Sequence, residues 1–312
     1  MKKIVFMGTP TFSVPILKAL IESPDLEVVA VVTQPDRKVG RKQQIVESPV
    51  KCLAKAHEIA IFQPERIRKS SAVEAIISLQ PDLIVTAAYG QIVPVKLLEA
   101  PTFGAINVHA SLLPKYRGAA PIHYAVKNGD PKTGVTIMYM VKEMDAGNMI
   151  AQAEIPITED DDTGTLFEKL SILGRDTLME ALPTIFEKTN ASVPQNESEV
   201  SFSPSITKEQ ERIRWSATAR EIHHLIRALR PRPGAYALLH GERFKFWDSY
   251  IIDEKTDKPS GTIIKRDSKE LWVAAAEGTI LSLLKVQPAG KRQMLVAEYL
   301  AGAPIKVGER FE

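Results

Sequence analysis

The side chains with the clearest chemical potential lie in the stretch AINVHASLLPKYRGAAPIHYA, residues 105–125. Its apolar start predicts a β-strand in which Asn107 and His109 are two residues apart. Because alternate side chains of a strand point to the same side, Asn107 and His109 can reach one ligand atom, while Ile106 and Val108 face the core. Open α/β sheets bind their ligands at such a strand end. The stretch therefore indicates a catalytic edge.

A third polar group is available in the segment MDAGN, in which Asp145 occupies a turn between two predicted strands. A carboxylate near His109 would fix the orientation of the imidazole ring. Taken singly, His109 is compatible with a hydrogen-bonded structural histidine, and Asp145 with a simple turn residue. Their combination with Asn107 favours a catalytic interpretation.

Other kinds of catalytic site find little support. The sequence has no GxSxG motif, and Cys52 lies in a helix-like stretch away from the Asn107 strand, which argues against a covalent intermediate. There is no HExxH motif and no CxxC pair, and the adjacent His223 and His224 point in different directions on a helix. We therefore expect no metal.

The elements that would position this edge alternate between strand and helix. Buried strands are predicted at residues 3–6, 28–33, 82–88 and 105–109, and helices are predicted to start at Ser48-Pro49 and at the capping-box pattern Ser71-Ala-Val-Glu74. Residues 133–140 and 149–157 would extend the sheet, and a long helix would close it over residues 163–188. The pattern predicts a doubly wound, mostly parallel, Rossmann-like α/β sheet.

The chain is expected to have two domains. Residues 1–188 form the predicted catalytic domain, and residues 189–205, poor in apolar side chains, form a predicted linker. Residues 206–312 contain a helix near Ala217 to Leu229 and five short strands, which predict a small β-barrel of the oligonucleotide-binding type.

Charge and composition narrow the class of protein. The 312 residues carry a net charge of only +2, but Lys and Arg outnumber Asp and Glu by 19 to 14 in residues 206–312, against 21 to 22 in residues 1–188. This asymmetry fits a polyanion bound mainly by the second domain, or simply a solvated basic surface. Because the sequence has one cysteine and no apolar run of membrane-spanning length, we expect a cytoplasmic enzyme with no membrane partner. We also expect a monomer.

Four segments in the same order as in a known family carry a resemblance: FMGTPTFSVP, AAYGQIVP, INVHASLLPKYRGAAP and MDAGN. With them the chain resembles the methionyl-tRNA formyltransferase family along essentially its whole length. The N-terminal part alone also resembles the wider group of 10-formyltetrahydrofolate enzymes, including those that act on amino sugars. The segments TQPDRKVGRK and RALRPRPGAYALLHGERFKFW favour the tRNA enzymes. The sequence departs from the family pattern at Asn148, Gln43, Gln44, Arg230 and Arg232.

The resemblance implies transfer of the formyl group of 10-formyltetrahydrofolate to the amino group of methionine on initiator tRNA. The amine would attack directly, through a tetrahedral intermediate stabilised by Asn107 and His109 and assisted by Asp145. The implied folate-binding residues are Ser111, Leu112, Leu113, Pro114, Tyr89 and Gly90. In the segment from Ser111 to Pro114, apolar side chains with free backbone groups at a strand end suit a flat pterin. The implied tRNA-binding residues are Arg37, Lys38, Arg41, Lys42, Arg230 and Arg232, the first four in a loop expected to be mobile.

Two alternatives stay open on the sequence. A folate enzyme with a small acceptor, such as an amino-sugar nucleotide, would share the N-terminal motifs but not the basic C-terminal region. A non-catalytic RNA-binding protein on the same scaffold would be expected to lack Asn107, His109 and Asp145, all of which are present.

Overall fold

The computed structural model describes residues 1–39, 43–302 and 305–312, and these form two compact units. The first unit comprises Met1–Pro121, Lys132–Pro156 and Phe167–Pro204. The second comprises Ile122–Pro131, Ile157–Leu166 and Ser205–Glu312. This grouping differs from the division expected at residues 188 and 205, because residues 122–131 and 157–166 cluster with the C-terminal unit. The expected linker, up to Pro204, clusters with the first unit.

Strands and helices alternate from the start of the chain. In order they are β1 (Lys2–Gly8), α1 (Ser13–Glu22), β2 (Leu26–Val32), β3 (Arg37–Val39), β4 (Gln44–Val46), α2 (Pro49–Ala56), β5 (Ala60–Phe62), α3 (Ala72–Ser78), β6 (Leu83–Ala87), α4 (Val95–Leu98), β7 (Ala105–His109), α5 (Pro121–Lys127), β8 (Lys132–Tyr139), β9 (Met149–Pro156) and α6 (Thr163–Glu187). The expected start of α2 is confirmed, because the Ser48 hydroxyl accepts the Lys51 N–H. The capping box expected at Ser71 is wrong: the Ser70 hydroxyl accepts the N–H of Ala72 instead.

Within the described residues, seven strands of the first unit form one sheet in the order β5-β2-β1-β6-β7-β8-β9. Pairing is parallel from β5 to β7 and antiparallel from β7 to β9. The predicted doubly wound, mostly parallel sheet is therefore confirmed. Starting from β1, the chain first adds β2 and β5 on one side of the sheet, and it then adds β6, β7, β8 and β9 on the other side. The crevice between β1 and β6 is where such sheets bind ligands.

Strand β7 is fixed from behind by helix α6. Ile106 and Val108 are buried, as expected, which leaves Asn107 and His109 on the opposite side. A Cβ atom placed on Gly174 of α6 would lie 2.7 Å from Val108 Cγ1, a distance that real Cβ contacts do not show. Glycine at this position therefore allows the helix to approach the back of the catalytic strand.

The second unit is built on antiparallel pairing. Its further elements are α7 (Ala219–Ala228), β10 (Ala235–Leu239), β11 (Glu242–Ile252), β12 (Ile263–Arg266), β13 (Leu271–Ala274), β14 (Ile280–Pro288), β15 (Met294–Leu295) and α8 (Val296–Leu300). The strand order is β10-β11-β14-β13-β12, with β15 added to β14. Helix α7 begins with a complete capping box formed by Thr218 and Glu221. Its apolar face packs on the same core as Phe244 and Phe246.

No pairing of two strands closes the expected barrel within the described residues, but the end of the chain bonds to both edges of the sheet. In the part of the chain that the structure describes, β10 and β12 are the two edges of the sheet and are not paired with each other. Glu312 exchanges two 2.9 Å backbone hydrogen bonds with Leu238 of β10. Phe311 N–H donates to Gly261 at 2.9 Å, and Ile263 N–H of β12 donates to Glu309 at 2.8 Å. The last residues thus link both edges.

Candidate active site

The Asn107 side chain is oriented by the neighbouring strand. Thr86 of β6 lies in register with Asn107, and its hydroxyl donates to Asn107 Oδ1 at 2.8 Å. With the amide oxygen held in this way, the amide nitrogen is the end that can donate to a ligand. Thr86 is buried, so this orientation is protected from water. No motif or spacing in the sequence points to Thr86.

His109 is buried at the end of β7, and its Nε2 lies 3.0 Å from the carbonyl oxygen of Tyr116. Since a carbonyl only accepts, Nε2 carries the proton in this arrangement. The other ring nitrogen, Nδ1, is 3.8 Å from Asp145 Oδ2. The structure therefore brings His109 and Asp145 together, and a proton added to Nδ1 would face a carboxylate.

Asp145 is held by its neighbours in a left-handed backbone conformation, with a φ of 53°. Its Oδ2 accepts the N–H of Gly118 at 2.8 Å, and its side chain is 15% exposed. The backbone around it is also bound: Gln195 Nε2 donates to the carbonyls of Asp145 and Gly147 at 2.7 and 2.9 Å. A carboxylate in this position can receive or pair with a proton without leaving its place.

Gln195 lies in the segment predicted to be a linker, residues 189–205. Residues 190–204, here called the strap, hydrogen-bond to the loop between β7 and α5. Ser201 Oγ accepts the N–H of Tyr116 at 3.0 Å, and Ser203 Oγ donates to the Tyr116 carbonyl at 3.1 Å. Sequence periodicity could not predict these contacts, because Ser201 and Ser203 hydrogen-bond to a loop that is remote in sequence.

The expected folate-binding loop, Ser111 to Pro114, is rigidly supported. Thr136 of β8 donates its hydroxyl to the Ser111 carbonyl at 2.7 Å and accepts the N–H of Leu113 at 3.1 Å. Gln152 of β9 donates to the Leu113 carbonyl at 2.8 Å. The expectation of free backbone groups is therefore wrong for these atoms, which are already paired within the protein. The side chain of Leu112 remains half-buried beside the loop.

Tyr89 and Gly90 lie after β6, at the crevice of the sheet. The Tyr89 carbonyl accepts from Thr9 Oγ1 at 3.0 Å and from Gln34 Nε2 at 3.1 Å, which ties together the ends of β1, β2 and β6. The ring itself packs in the core, and burial raises the pKa of its hydroxyl to about 12. Gly90 adopts a φ of 86°. These contacts make Tyr89 part of the support of the crevice.

Of the basic loop expected to bind tRNA, the structure describes Arg37 and Lys38, both exposed on β3. Arg41 and Lys42 lie outside the described residues. Strands β3 and β4 pair as a hairpin at the base of this loop. Asp36 does not neutralise the basic side chains beside it, because it binds Lys51 at 2.6 Å and Gln63 at 2.8 Å. These hydrogen bonds, that of Lys51 above all, lower the pKa of Asp36.

The two arginines of the second unit that were expected to bind tRNA, Arg230 and Arg232, differ in their contacts within the protein. Arg230 is bound by two carboxylates, Asp162 at 2.8 Å and Asp248 at 2.6 Å. Its guanidinium is therefore paired within the protein. Arg232 is exposed.

The described residues contain no group of three or more His, Cys, Asp or Glu side chains that could hold a metal ion. No described helix combines the length and apolarity needed to cross a membrane.

Comparison with known proteins identifies the family. Residues 1–182 match the model of the formyl transferase family, and residues 205–304 match its C-terminal domain. The chain is 54% identical over 310 residues to the methionyl-tRNA formyltransferase of Enterococcus faecalis, covering 99% of each chain. It is 52% identical to that of Pediococcus pentosaceus, covering 97% of this chain and 94% of the relative. This chain belongs to the methionyl-tRNA formyltransferase family. It is a transferase, as the sequence predicts.

Solved structures share the formyltransferase fold at lower identity. An N-formyltransferase from Helicobacter canadensis, in complex with folinic acid and dTDP-3-aminofucose, superposes with a TM-score of 0.69 at 20% identity, covering 92% of this chain and all (100%) of that one. HypX from Aquifex aeolicus, in complex with tetrahydrofolic acid, gives a TM-score of 0.62 at 15% identity over 99% of this chain and 50% of its own. These likenesses support the architecture.

Proposed function

We propose that this formyltransferase moves the formyl group of 10-formyltetrahydrofolate onto the amino group of methionine on initiator tRNA, by direct attack of the amine. The observation that carries the chemistry is the convergence of Asn107, His109 and Asp145 at the end of β7. The His109 and Asp145 side chains are 3.8 Å apart, and the Asn107 amide is oriented by Thr86. The reaction needs an oxyanion donor and a proton acceptor but no covalent enzyme intermediate.

The Asn107 amide is the oxyanion donor in this mechanism. Its oxygen is held by Thr86, so its nitrogen is available to the developing charge on the formyl oxygen. The N–H of His109 that would share this function is bound to the Tyr116 carbonyl at 3.0 Å. We therefore assign the stabilising hydrogen bond to Asn107 first.

In this proposal His109 accepts the proton of the attacking amine, and Asp145 stabilises the protonated ring. The free electron pair of His109 lies on Nδ1, on the side of the Asp145 carboxylate. When the amine loses its proton to Nδ1, the resulting imidazolium is stabilised by Asp145 and, through Nε2, by the Tyr116 carbonyl. The proton then passes to N10 of the folate as the bond between the formyl carbon and N10 breaks, which releases tetrahydrofolate and leaves the formyl group on the methionine nitrogen. Asp145 itself stays in place through its bond to Gly118.

The folate co-substrate occupies the crevice beside this set in our proposal. The loop from Ser111 to Pro114 supplies apolar side chains, and the turn at Gly90 borders the switch point of the sheet. Since much of the loop's backbone is already paired, its contribution is shape and apolar contact rather than a row of hydrogen bonds.

The tRNA is held by basic side chains. We propose contacts from Arg37, Lys38, Arg41, Lys42 and Arg232, and leave Arg230 out because its guanidinium is bound by Asp162 and Asp248. Phosphate contacts of this kind make affinity depend on salt concentration. As the substrate is a charged tRNA of protein synthesis, we place the enzyme in the cytoplasm.

The function is tested by formyl transfer from 10-formyltetrahydrofolate to methionyl-tRNA, measured beside free methionine and an amino-sugar nucleotide as acceptors. We expect labelling of the charged tRNA alone, and loss of that labelling in His109→Ala. Labelling of a small amine in place of tRNA would overturn the acceptor. Full activity of His109→Ala would overturn the site.

A further inference from the structure

The strap contributes one side chain that the mechanism does not use, Gln195, which is buried next to the catalytic turn. We propose that Gln195 is a positioning residue: it sets the place of the Asp145 carboxylate relative to His109. This inference rests on the proposed function of Asp145. It assigns to Gln195 an effect on turnover rather than on substrate binding.

The bonds of Gln195 hold the turn from both ends. One amide nitrogen donates to the carbonyls of Asp145 and Gly147, at 2.7 and 2.9 Å. Asp145 has a φ of 53°, in the left-handed region that is uncommon for residues other than glycine, although aspartate tolerates it better than most. Because the backbone carbonyl of Asp145 is fixed, the direction in which its side chain leaves the backbone is fixed as well.

The amide of Gln195 has only one workable orientation. Its Oε1 accepts from Nε of Arg117 at 3.0 Å, while its Nε2 faces the two carbonyls. Arg117 is 5% exposed, and its guanidinium also binds Glu197 at 2.7 Å. A flipped amide would set a donor against the buried guanidinium and an acceptor against two carbonyls. Such unpaired contacts in a buried place are costly, so the donor stays directed at the turn.

The same strap also holds the partner of Asp145. Ser203 donates to the Tyr116 carbonyl, which accepts from Nε2 of His109 as well. Ser203 N–H donates to the Arg117 carbonyl at 2.8 Å. One continuous segment therefore fixes the carboxylate through Gln195 and the imidazole through Tyr116, although neither Gln195 nor Ser203 touches the reacting atoms.

The decisive experiment is a double-mutant cycle on turnover, with Gln195→Met and Asp145→Asn singly and together. Methionine preserves the length of the side chain but removes the hydrogen bonds. Since small misplacements of a catalytic group are expensive in rate, we expect Gln195→Met to lower kcat for methionyl-tRNA about 10- to 100-fold. KM for both substrates should stay within about twofold. In the Asp145→Asn background the further loss should be less than about threefold.

Two more variants separate positioning from folding. Gln195→Glu retains an acceptor for Arg117 but loses the donor to the turn, so it should lower kcat even though the strap stays attached, and it decides the case if Gln195→Met does not fold. Ser192→Ala is the control, because it removes an exposed hydrogen bond, 3.0 Å from Asn148 Nδ2 to Ser192 Oγ, between the same strap and the same turn. It should leave kcat unchanged.

The outcomes distinguish this inference from the function on which it rests. If the unaltered enzyme does not formylate methionyl-tRNA, the proposed function fails. If the enzyme is active and Asp145→Asn is impaired, but the folded Gln195 variants turn over normally, the positioning function fails. It fails equally if the losses from Gln195→Met and Asp145→Asn simply multiply.

Discussion

At the scale of single residues, catalysis in this enzyme depends on how polar side chains are oriented as much as on which ones are present. An asparagine presents a donor at one end of its amide and an acceptor at the other, so Asn107 is useful to an oxyanion only in one orientation. The Thr86 hydroxyl, 2.8 Å from Asn107 Oδ1, selects that orientation. His109 is fixed in the same way by the Tyr116 carbonyl.

Thr86 should therefore affect turnover although it does not touch the substrate. Thr86→Val preserves the shape of the side chain but removes the hydroxyl, so the Asn107 amide is free to turn. We expect kcat to fall roughly tenfold, less than the hundred- to thousandfold typical of losing an oxyanion donor, as expected for Asn107→Ala. Steady-state kinetics of both variants check this.

The matched control is Thr177→Val, which removes another buried hydroxyl, one that donates to the Leu173 carbonyl within α6. Its kcat should equal that of the unaltered enzyme. Normal turnover in Thr86→Val would show that the amide orients itself without help.

Among the secondary-structure elements, β7 matters most for catalysis, because it carries both Asn107 and His109. It lies between parallel β6 and antiparallel β8, and α6 packs across its back at Gly174. Hydrogen bonds to β6 and β8 fix the position of β7 within the sheet, and packing against α6 fixes its position perpendicular to the sheet. The loops after β7 are then fixed by β8, β9 and the strap.

Gly174→Ala should lower both the stability of the protein and its kcat. The added methyl group would lie 2.7 Å from Val108 Cγ1, so either α6 or β7 has to move. Overpacking of this kind costs about 1–3 kcal/mol of unfolding free energy. Urea unfolding followed by circular dichroism measures it, and a reduced kcat should accompany it because β7 carries His109.

For comparison, Gly302→Ala makes the same chemical change where a Cβ atom meets nothing within 4 Å. That variant should unfold at the same urea concentration as the unaltered protein. Equal stability of the two variants would mean that the contact between α6 and β7 adapts without cost.

At the scale of the whole molecule, the C-terminal unit contains a buried titratable group that can be followed separately. The three tryptophans, Trp215, Trp247 and Trp272, all lie in this unit, so their fluorescence reports its unfolding. His223 is buried there with its Nδ1 3.0 Å from Ser249 Oγ. Burial first, and then the charge of Arg227, lower the pKa of His223 to about 4, despite Glu159 and Asp248 nearby.

The sign of the resulting pH dependence follows from proton binding. The unfolded chain binds a proton at His223 below a pH of about 6.5, whereas the folded unit does so only near pH 4. Stability of this unit should therefore fall as the pH decreases from about 6.5 to about 4, by up to about 3 kcal/mol. Urea unfolding followed by tryptophan fluorescence at several pH values measures this loss.

In His223→Gln the pH dependence in that window should be flatter. His240→Gln, which replaces an exposed histidine of the same unit, is the control and should retain the slope of the unaltered protein. A His223→Gln slope as steep as that of the control would assign the acid sensitivity to other groups.

The local sequence pattern alone was enough to predict the doubly wound sheet of the first unit, the facing of the polar residues on β7 and the family. Strand periodicity placed Asn107 and His109 on one side of β7, and the alternation of strands and helices gave the doubly wound sheet. The motifs gave the family. These features depend on residues close in sequence or on a single strand, for which spacing is sufficient information.

Tertiary structure decided which distant groups meet. The bonds of Thr86 to Asn107, of Gln195 to Asp145 and of Ser203 to Tyr116 join residues 21, 50 and 87 positions apart, and no spacing rule predicts them. For the same reason, the sequence alone predicted a linker over residues 189–205 and a tRNA contact at Arg230, and it could not show that Gln195 bonds to the turn at Asp145 or that Arg230 pairs with two carboxylates. A polar segment can satisfy its hydrogen bonds with water or with a remote loop, and a cation with phosphate or with two carboxylates. Only the fold shows which partner is within reach.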